Sequence, residues 1–318
     1  MWTTIEQIFP YAIMFTIPLL ITALGGLFSE RSGIVNIGLE GLMVIGSFMG
    51  AFVIFKLQTA WPDHPVAAIW VGLAAALAAG VLFSLLHAFA SIHLSANQVI
   101  SGTAINMIAG ALTVFLARNI TGSGNIRITS GFQPFNVPLL SKIPVIGDLL
   151  FTKTYPTTWL ILLLVLLGGF VLKKTAFGLR LRACGEYPQA AEAAGINVRR
   201  IRYMGVMISG AFSGLGGAVL LVTIAGEFTG TVAGLGFLSL AALIFGQWRP
   251  LGILAAALFF GFASTVANVS QVIPALSVFP PVILKVFPYV VTLIALVLFS
   301  KSSQAPKAAG EVFDSAKR

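Results

Sequence analysis

Two groups of polar side chains interrupt long apolar runs. The first is Asn36 and Glu40, in SERSGIVNIGLEGLMVIGSF. A carboxylate inside an apolar span is costly to bury, and by default it marks a solute or ion pathway. Gly38 and Gly41 beside it permit a close backbone approach or a broken helix. A structural role competes with the functional one: Glu40 pairs with Arg31 or caps another helix's N-terminus. The second group is Asn97, Gln98, Ser101, Thr103 and Asn106. Asn97 suits an N-cap, and Gln98 and Ser101 share a helical face at i, i+3 spacing. Amides and hydroxyls on such helices either join helices or meet a polar solute. Glu227 and Phe228 add a charge and an aromatic at a polar turn. The candidate pathway residues are therefore Asn36, Glu40, Asn97, Gln98, Ser101, Asn106, Glu227 and Phe228.

Other chemistries find no support in the sequence. There is no G-x-x-x-x-G-K-[ST] loop, so the chain is not expected to bind ATP by itself, and there is no H-E-x-x-H. His64, His87 and His93 are scattered without metal-ligand spacing, and His87 and His93 read as packed side chains near the end of one span. No metal or cofactor is expected, and no catalytic residue. Cys184 is the single cysteine, so no intrachain disulfide can form.

The elements that hold these residues follow from composition. Of 318 residues, 58% are hydrophobic and 9% charged, where a soluble domain carries roughly 25% charged residues. The fold class is all-α, a polytopic transmembrane helical bundle. About nine spans are expected at ~20 residues per 30 Å of hydrocarbon. They are 8–28, 34–55, 66–91, 97–118, 157–172, 203–223, 235–245, 251–272 and 282–299. The second places Glu40 about two turns into its helix. The seventh is too short to cross alone at 1.5 Å per residue and reads as tilted or broken, or as part of a longer helix that starts near Thr231. Residues 1–300 form one transmembrane unit with a 119–156 external loop, and 301–318 read as a disordered cytoplasmic tail. Residues 1–7 lack the positive segment of a cleaved signal, so the first span is expected to be retained.

The charged exception is 177–202, FGLRLRACGEYPQAAEAAGINVRRIR. Nine of the 29 charged side chains lie in 173–202, seven of them basic. Pro188 suits a first helical turn, the alanines 190, 191, 193 and 194 favour helix with little bulk, and Gly195 suits its end. This reads as a cytoplasmic docking element for a partner protein. With the 173–202 loop inside and strict alternation, 13 of the 19 Lys and Arg fall inside and 6 outside. The bias puts the N-terminus outside and the C-terminus inside. Span ends account for the net charge of +9, so no nucleic-acid partner is expected.

The motifs SERSGIVNIGLEGLMVIGSFMGAF and GLRLRACGEYPQAAEAAGINVRRIRYMGVMISGAFSGLGGA together resemble permease subunits of ABC importers of the branched-chain amino acid, simple sugar and nucleoside group. Within it the likeness is to nucleoside permeases of the guanosine/uridine type, over roughly 13–299. The resemblance implies a multi-pass protein of the cytoplasmic membrane, embedded in lipid and paired with a second, related permease chain. It also implies a separate ATP-hydrolysing subunit docking on Gly185, Glu186, Ala190, Ala191, Glu192, Ala194 and Gly195, and an extracellular substrate-binding lipoprotein. Phe228 at its turn, with Asn268, Ser270 and Gln271 at the end of the eighth span, would suit a base and ribose, and the same residues suit an interfacial belt. Simple sugars or another small polar solute remain open as cargo. A secondary transporter independent of an ATPase is a further alternative, disfavoured because Glu40 is the one convincing ionisable residue within the spans.

Overall fold

A computed structural model describes residues 2–269, six residues between 282 and 294, and residues 305–314. Ten α-helices are resolved among them: α1 Trp2–Arg31, α2 Leu39–Ala60, α3 Pro65–Ala88, α4 Gln98–Thr121, α5 Pro156–Lys174, α6 Ala176–Glu186, α7 Pro188–Ala193, α8 Val198–Leu220, α9 Leu235–Phe245 and α10 Pro250–Val269. Turns of π-helix extend α3 over Phe89–His93 and α8 over Leu221–Ala225. Seven of the described helices are long and apolar enough to cross a membrane: α1, α2, α3, α4, α5, α8 and α10. The expected span at 282–299 falls almost wholly outside the described residues.

Local chemistry starts these helices where the sequence punctuates. Pro65, Pro156 and Pro188 open α3, α5 and α7, positions where a missing N–H costs nothing. Asn97 accepts from the amides of Val99 and Ile100, Thr175 from Gly178 and Asn197 from Arg200. The N-cap role expected of Asn97 is met.

α1, α2 and α8 form the buried centre, and α3, α4, α5, α9 and α10 pack around them. Small residues let the central backbones touch. A Cβ on Gly46 of α2 would collide with the Gly214 carbonyl of α8, and one on Gly80 of α3 with the Gly210 carbonyl. Lipid supplies no hydrophobic drive between helices, so this van der Waals contact replaces it. The outer helices turn apolar side chains outward, among them Leu82, Met107, Phe115, Leu166 and Leu251.

Two interruptions break the helical pattern. Expectation ran the second span from 34 to 55, but the chain stays non-helical until Leu39. Glu40 is therefore in the first turn of α2, and Gly38 lies at the helix break. The non-helical stretch rises beside α8 from Arg202, which touches Gly33, to Ser209, which bonds Asn36. Seven residues of α8 amount to about 10 Å of depth. The second interruption is α9, with 11 residues, about 16 Å long. Residues 226–234 lead into it from Phe228, which packs on Phe48 of α2, and its far end reaches Trp248 beside Glu30 of α1. A non-helical half and a half-helix thus follow one another along the bundle, as expected for 235–245.

The expected 119–156 loop is tied down near its start. Its strand β1, Ile126–Arg127, pairs antiparallel with β2, Glu227–Phe228, with Ile126 opposite Phe228 and Arg127 opposite Glu227. Gln58 at the end of α2 donates to the Ser130 carbonyl at 2.8 Å and accepts from the Thr129 amide at 2.9 Å. At the opposite end, residues 305–314 do not meet the expectation of disorder. The Ala308 amide donates to the Gly185 carbonyl and Gly310 to that of Gly33, while Ala308 is buried.

Gly214→Leu tests the central packing, because a side chain there meets the Ala76 carbonyl and Gly80. Overpacking of this kind costs about 1–3 kcal/mol. The purified chain should show a lower unfolding midpoint, and an unchanged midpoint would contradict the close α2–α3–α8 contact.

Candidate functional site

The candidate site is built around the non-helical backbone of residues 33–38. Backbone at membrane depth must find partners inside the protein, and side chains from three other helices supply them. The Val35 amide donates to Gln98 Oε1 at 2.7 Å, and the Val35 carbonyl lies 3.1 Å from His87 Nε2. Asn106 works twice, donating to the Ile37 carbonyl at 3.0 Å and accepting from the Gly41 amide at 2.7 Å. Asn36 is fully buried. It donates to Ser209 Oγ at 2.9 Å and accepts from the Gly38 amide at 3.1 Å. Ser29 Oγ donates to the Ile34 carbonyl at 2.7 Å.

Four sequence candidates, Asn36, Gln98, Ser101 and Asn106, are thus brought together with Glu40 around one segment. His87 is the residue that sequence reading missed. It is buried, and it bridges Val35 to Ser101 Oγ at 3.0 Å. A carbonyl only accepts, so Nε2 carries the proton toward Val35. In the neutral ring Nδ1 then accepts from the Ser101 hydroxyl. The signal available in sequence was its position 14 residues before Ser101 across a helix end, which spacing rules do not reward. Asn97 is exposed and acts as a cap at the edge of this cluster.

Glu40 takes the capping role that stood as the structural alternative. Its two carboxylate oxygens accept from the amides of Gly234 at 2.9 Å and Gly236 at 2.7 Å. These are orphan donors at the start of α9, where negative charge is favoured. Arg31 is engaged elsewhere. Its Nη2 and Nε donate to the Trp248 carbonyl, and Nη1 lies 3.4 Å from Glu186 Oε1. The Trp248 indole donates to buried Glu30. Trp248 itself has φ 52°, a left-handed backbone that costs a bulky residue about 1–2 kcal/mol, and these contacts hold it there.

Glu227 and Phe228 do not join the cluster. Phe228 is buried, edge-on to Phe48 at 5.5 Å between centroids, two helical turns along α2 from Glu40. It packs in the core at the β1–β2 end. Glu227 is partly buried in the same ribbon.

The short helix expected between Pro188 and Gly195 is present as α7. Pro188 opens α7, and Gly195 closes it at φ +81°. The Gly195 amide donates to the Glu192 carbonyl at 2.8 Å, and Ile196 donates to Ala191 at 3.0 Å, the paired bonds of a Schellman ending. Ala190, Glu192, Ala194 and Gly195 face outward, whereas Ala191 is buried. Gly185 is also buried, and a Cβ there would collide with the Arg31 carbonyl. Gly185 and Ala191 therefore seat the segment on the bundle, while Glu186 stays exposed beside Arg31. Cys184 is buried beneath it, and burial pushes its thiol up to about 11, against a smaller opposing pull from Arg202.

The family described as branched-chain amino acid transport system / permease component matches residues 8–296. This chain belongs to that family. Three curated members show how near the relationship is. The guanosine ABC transporter permease NupQ of Bacillus subtilis is 47% identical, over 98% of this chain and 97% of NupQ. The nucleoside ABC transporter permease NupC of Lactococcus lactis is 44% identical, over 96% of each chain. A second Bacillus subtilis guanosine permease, NupP, is 27% identical, over 81% of this chain and 70% of its own length. The chain is a multi-pass membrane permease subunit of the ABC transporter class, and enzyme chemistry is not its role.

Two outcomes check the site. Asn106→Leu strips partners from the Ile37 carbonyl and the Gly41 amide, which should cost about 2–4 kcal/mol and lower the unfolding midpoint well beyond an exposed control such as Thr103→Ala. An equal effect of the two would contradict the clamp. Cys184 should resist maleimide in native membranes and react only after denaturation, since reactivity needs an accessible thiolate. Fast labelling of the folded chain would contradict its burial.

Proposed function

We propose that this chain is a permease subunit of an ATP-driven importer that moves nucleosides across the cytoplasmic membrane. The observation that carries this is identity of 47% and 44% over almost the whole chain to permeases named for guanosine and nucleosides. Residues 1–300 make up the permease unit, with nine crossings, the N-terminus outside and the C-terminus inside. The excess of Lys and Arg in 173–202 supports that orientation. The segment from 226 to 249 counts as one crossing, half of it non-helical.

A separate ATP-hydrolysing subunit docks on the outward face of α7, at Ala190, Glu192, Ala194 and Gly195. A second permease chain, related but different, lines the pathway from the other side, and an extracellular binding lipoprotein delivers solute to the 119–156 end. The presence of two guanosine permeases in Bacillus subtilis, one near this chain and one more distant, supports a mixed pair.

The coupling path runs through touching groups. Motion of α6 and α7 meets the end of α1 at Gly185 and at the Arg31–Glu186 pair. Residues 33–38 continue directly from that end. Glu40 then carries the displacement to the N-terminus of α9. Asn36, Gln98, Ser101 and Asn106 act on the pathway by fixing this backbone, and Glu40 acts by placing the half-helix beside it.

Two measurements test the proposal. Labelled guanosine and uridine should accumulate only in cells carrying the chain, and excess nucleoside but not ribose should compete. Competition by ribose alone would assign the chain to sugar transport. Ala194→Arg, on the exposed face of α7, should abolish co-purification of the ATP-hydrolysing subunit at unchanged membrane levels. Retained co-purification with retained uptake would remove α7 from the docking site.

A further inference from the structure

At the α6–α7 end, outside the cluster around residues 33–38, lies a second concavity of about 380 Å³. It is bounded by the ends of α1 and α5, by α6, and by the turn before α10. Its charged lining is Arg31, Lys173, Arg182 and Arg249, against Glu186 alone. Glu186 is already paired with Arg31. The lining thus carries a net charge of about +3 from four cations and one carboxylate.

What surrounds it is apolar and faces outward. On α5, Leu163, Leu166 and Phe170 lead at helical spacing to Lys173, and all three are exposed. On α10, Leu251, Leu258 and Phe262 do the same from the other flank. The two helices approach at Gly169 and Pro250, immediately beside the charged lip. A ligand that fills this place needs an anionic head for the concavity and hydrocarbon for the α5–α10 faces. An acidic protein surface would satisfy the head and leave the apolar faces bare.

We propose that this concavity binds the headgroup of an anionic phospholipid of the cytoplasmic leaflet, with acyl chains along α5 and α10. Basic pockets between helices on that side are suited to such headgroups. The site rests on the membrane reading of the chain and not on its cargo. Its position bears on function because the bound phosphate would lie against Arg31, the residue that joins α1 to both Glu186 and Trp248. A lipid there would hold the cationic walls together and stiffen the contact between docking element and bundle.

The test is native mass spectrometry of the full-length chain purified with its transporter subunits, titrated with phosphatidylglycerol, phosphatidylcholine or inorganic phosphate. Phosphatidylglycerol should bind saturably and phosphatidylcholine much more weakly. The variant Arg182→Gln/Arg249→Gln should weaken phosphatidylglycerol binding about 30-fold, as expected for two cations near a headgroup, while Lys56→Gln at the far end of α2 should not. Equal binding of the two lipids, or no change in the double variant, would overturn the proposal. Inorganic phosphate that displaces phosphatidylglycerol at comparable concentration would make this a free-anion site and overturn the lipid assignment. Loss of the ATP-hydrolysing subunit with lipid binding intact would assign the surface to a protein partner instead. Nucleoside uptake is not read in this assay, so failure of the lipid site leaves the transport proposal standing.

Discussion

The structure depends on satisfying six residues of backbone, 33–38, that are not helical at membrane depth. In hydrocarbon an unpaired amide or carbonyl costs several kcal/mol. The break between α1 and α2 exists only because His87, Gln98, Asn106 and Asn36 reach its polar atoms. This requirement explains why amides gather at the start of α4. It also explains why α3 and α4 must pack against the loop rather than stand apart in lipid. Gly205 of α8 serves the same need, since a Cβ there would meet Ser32 at the start of the break, whereas the other α8 glycines lie against α1, α2 and α3.

Glu40 extends this arrangement to a second irregular element. A short helix ending inside the bundle leaves its first amides exposed. The carboxylate satisfies two of them at charge-assisted strength. One side chain therefore joins the first turn of α2 to the start of α9, and two otherwise costly breaks support each other. At the opposite end of α9, Glu30 and Arg31 hold Trp248 in its left-handed turn. Both ends of the half-helix are thus tied to the α1–α2 connection, on which α6 also rests through Gly185.

Much of this was legible in the sequence, and the parts that were not share a cause. Long apolar runs and Pro or Asn punctuation placed most helices within a few residues. The Pro188 to Gly195 pattern described α7 correctly, because local capping is written in consecutive residues. Asn36, Gln98, Ser101 and Asn106 stood out because polar groups in apolar helices are rare. Their shared partner could not be read, since 33–38 looked like the opening of a span. Apart from Asn36, residues 34 to 38 are apolar or glycine, and hydropathy does not distinguish a helix from buried extended backbone. The partners of His87 and Phe228 were not legible for a related reason: each is a neighbour distant in sequence, Val35 for one and Phe48 for the other. The packing of 305–314 rests on two backbone hydrogen bonds to Gly185 and Gly33, which composition does not reveal.

The central claim is that the clamped segment and Glu40 link the α6–α7 segment to α9. The most direct test compares ATP hydrolysis with nucleoside uptake in proteoliposomes holding the complete transporter, wild type or Glu40→Gln. Glutamine removes the charge from the α9 cap and replaces one acceptor oxygen by an amide donor. The account predicts near-normal hydrolysis with uptake reduced about tenfold or more, the loss expected from one charge-assisted bond. Uptake that stays in its wild-type ratio to hydrolysis would contradict it.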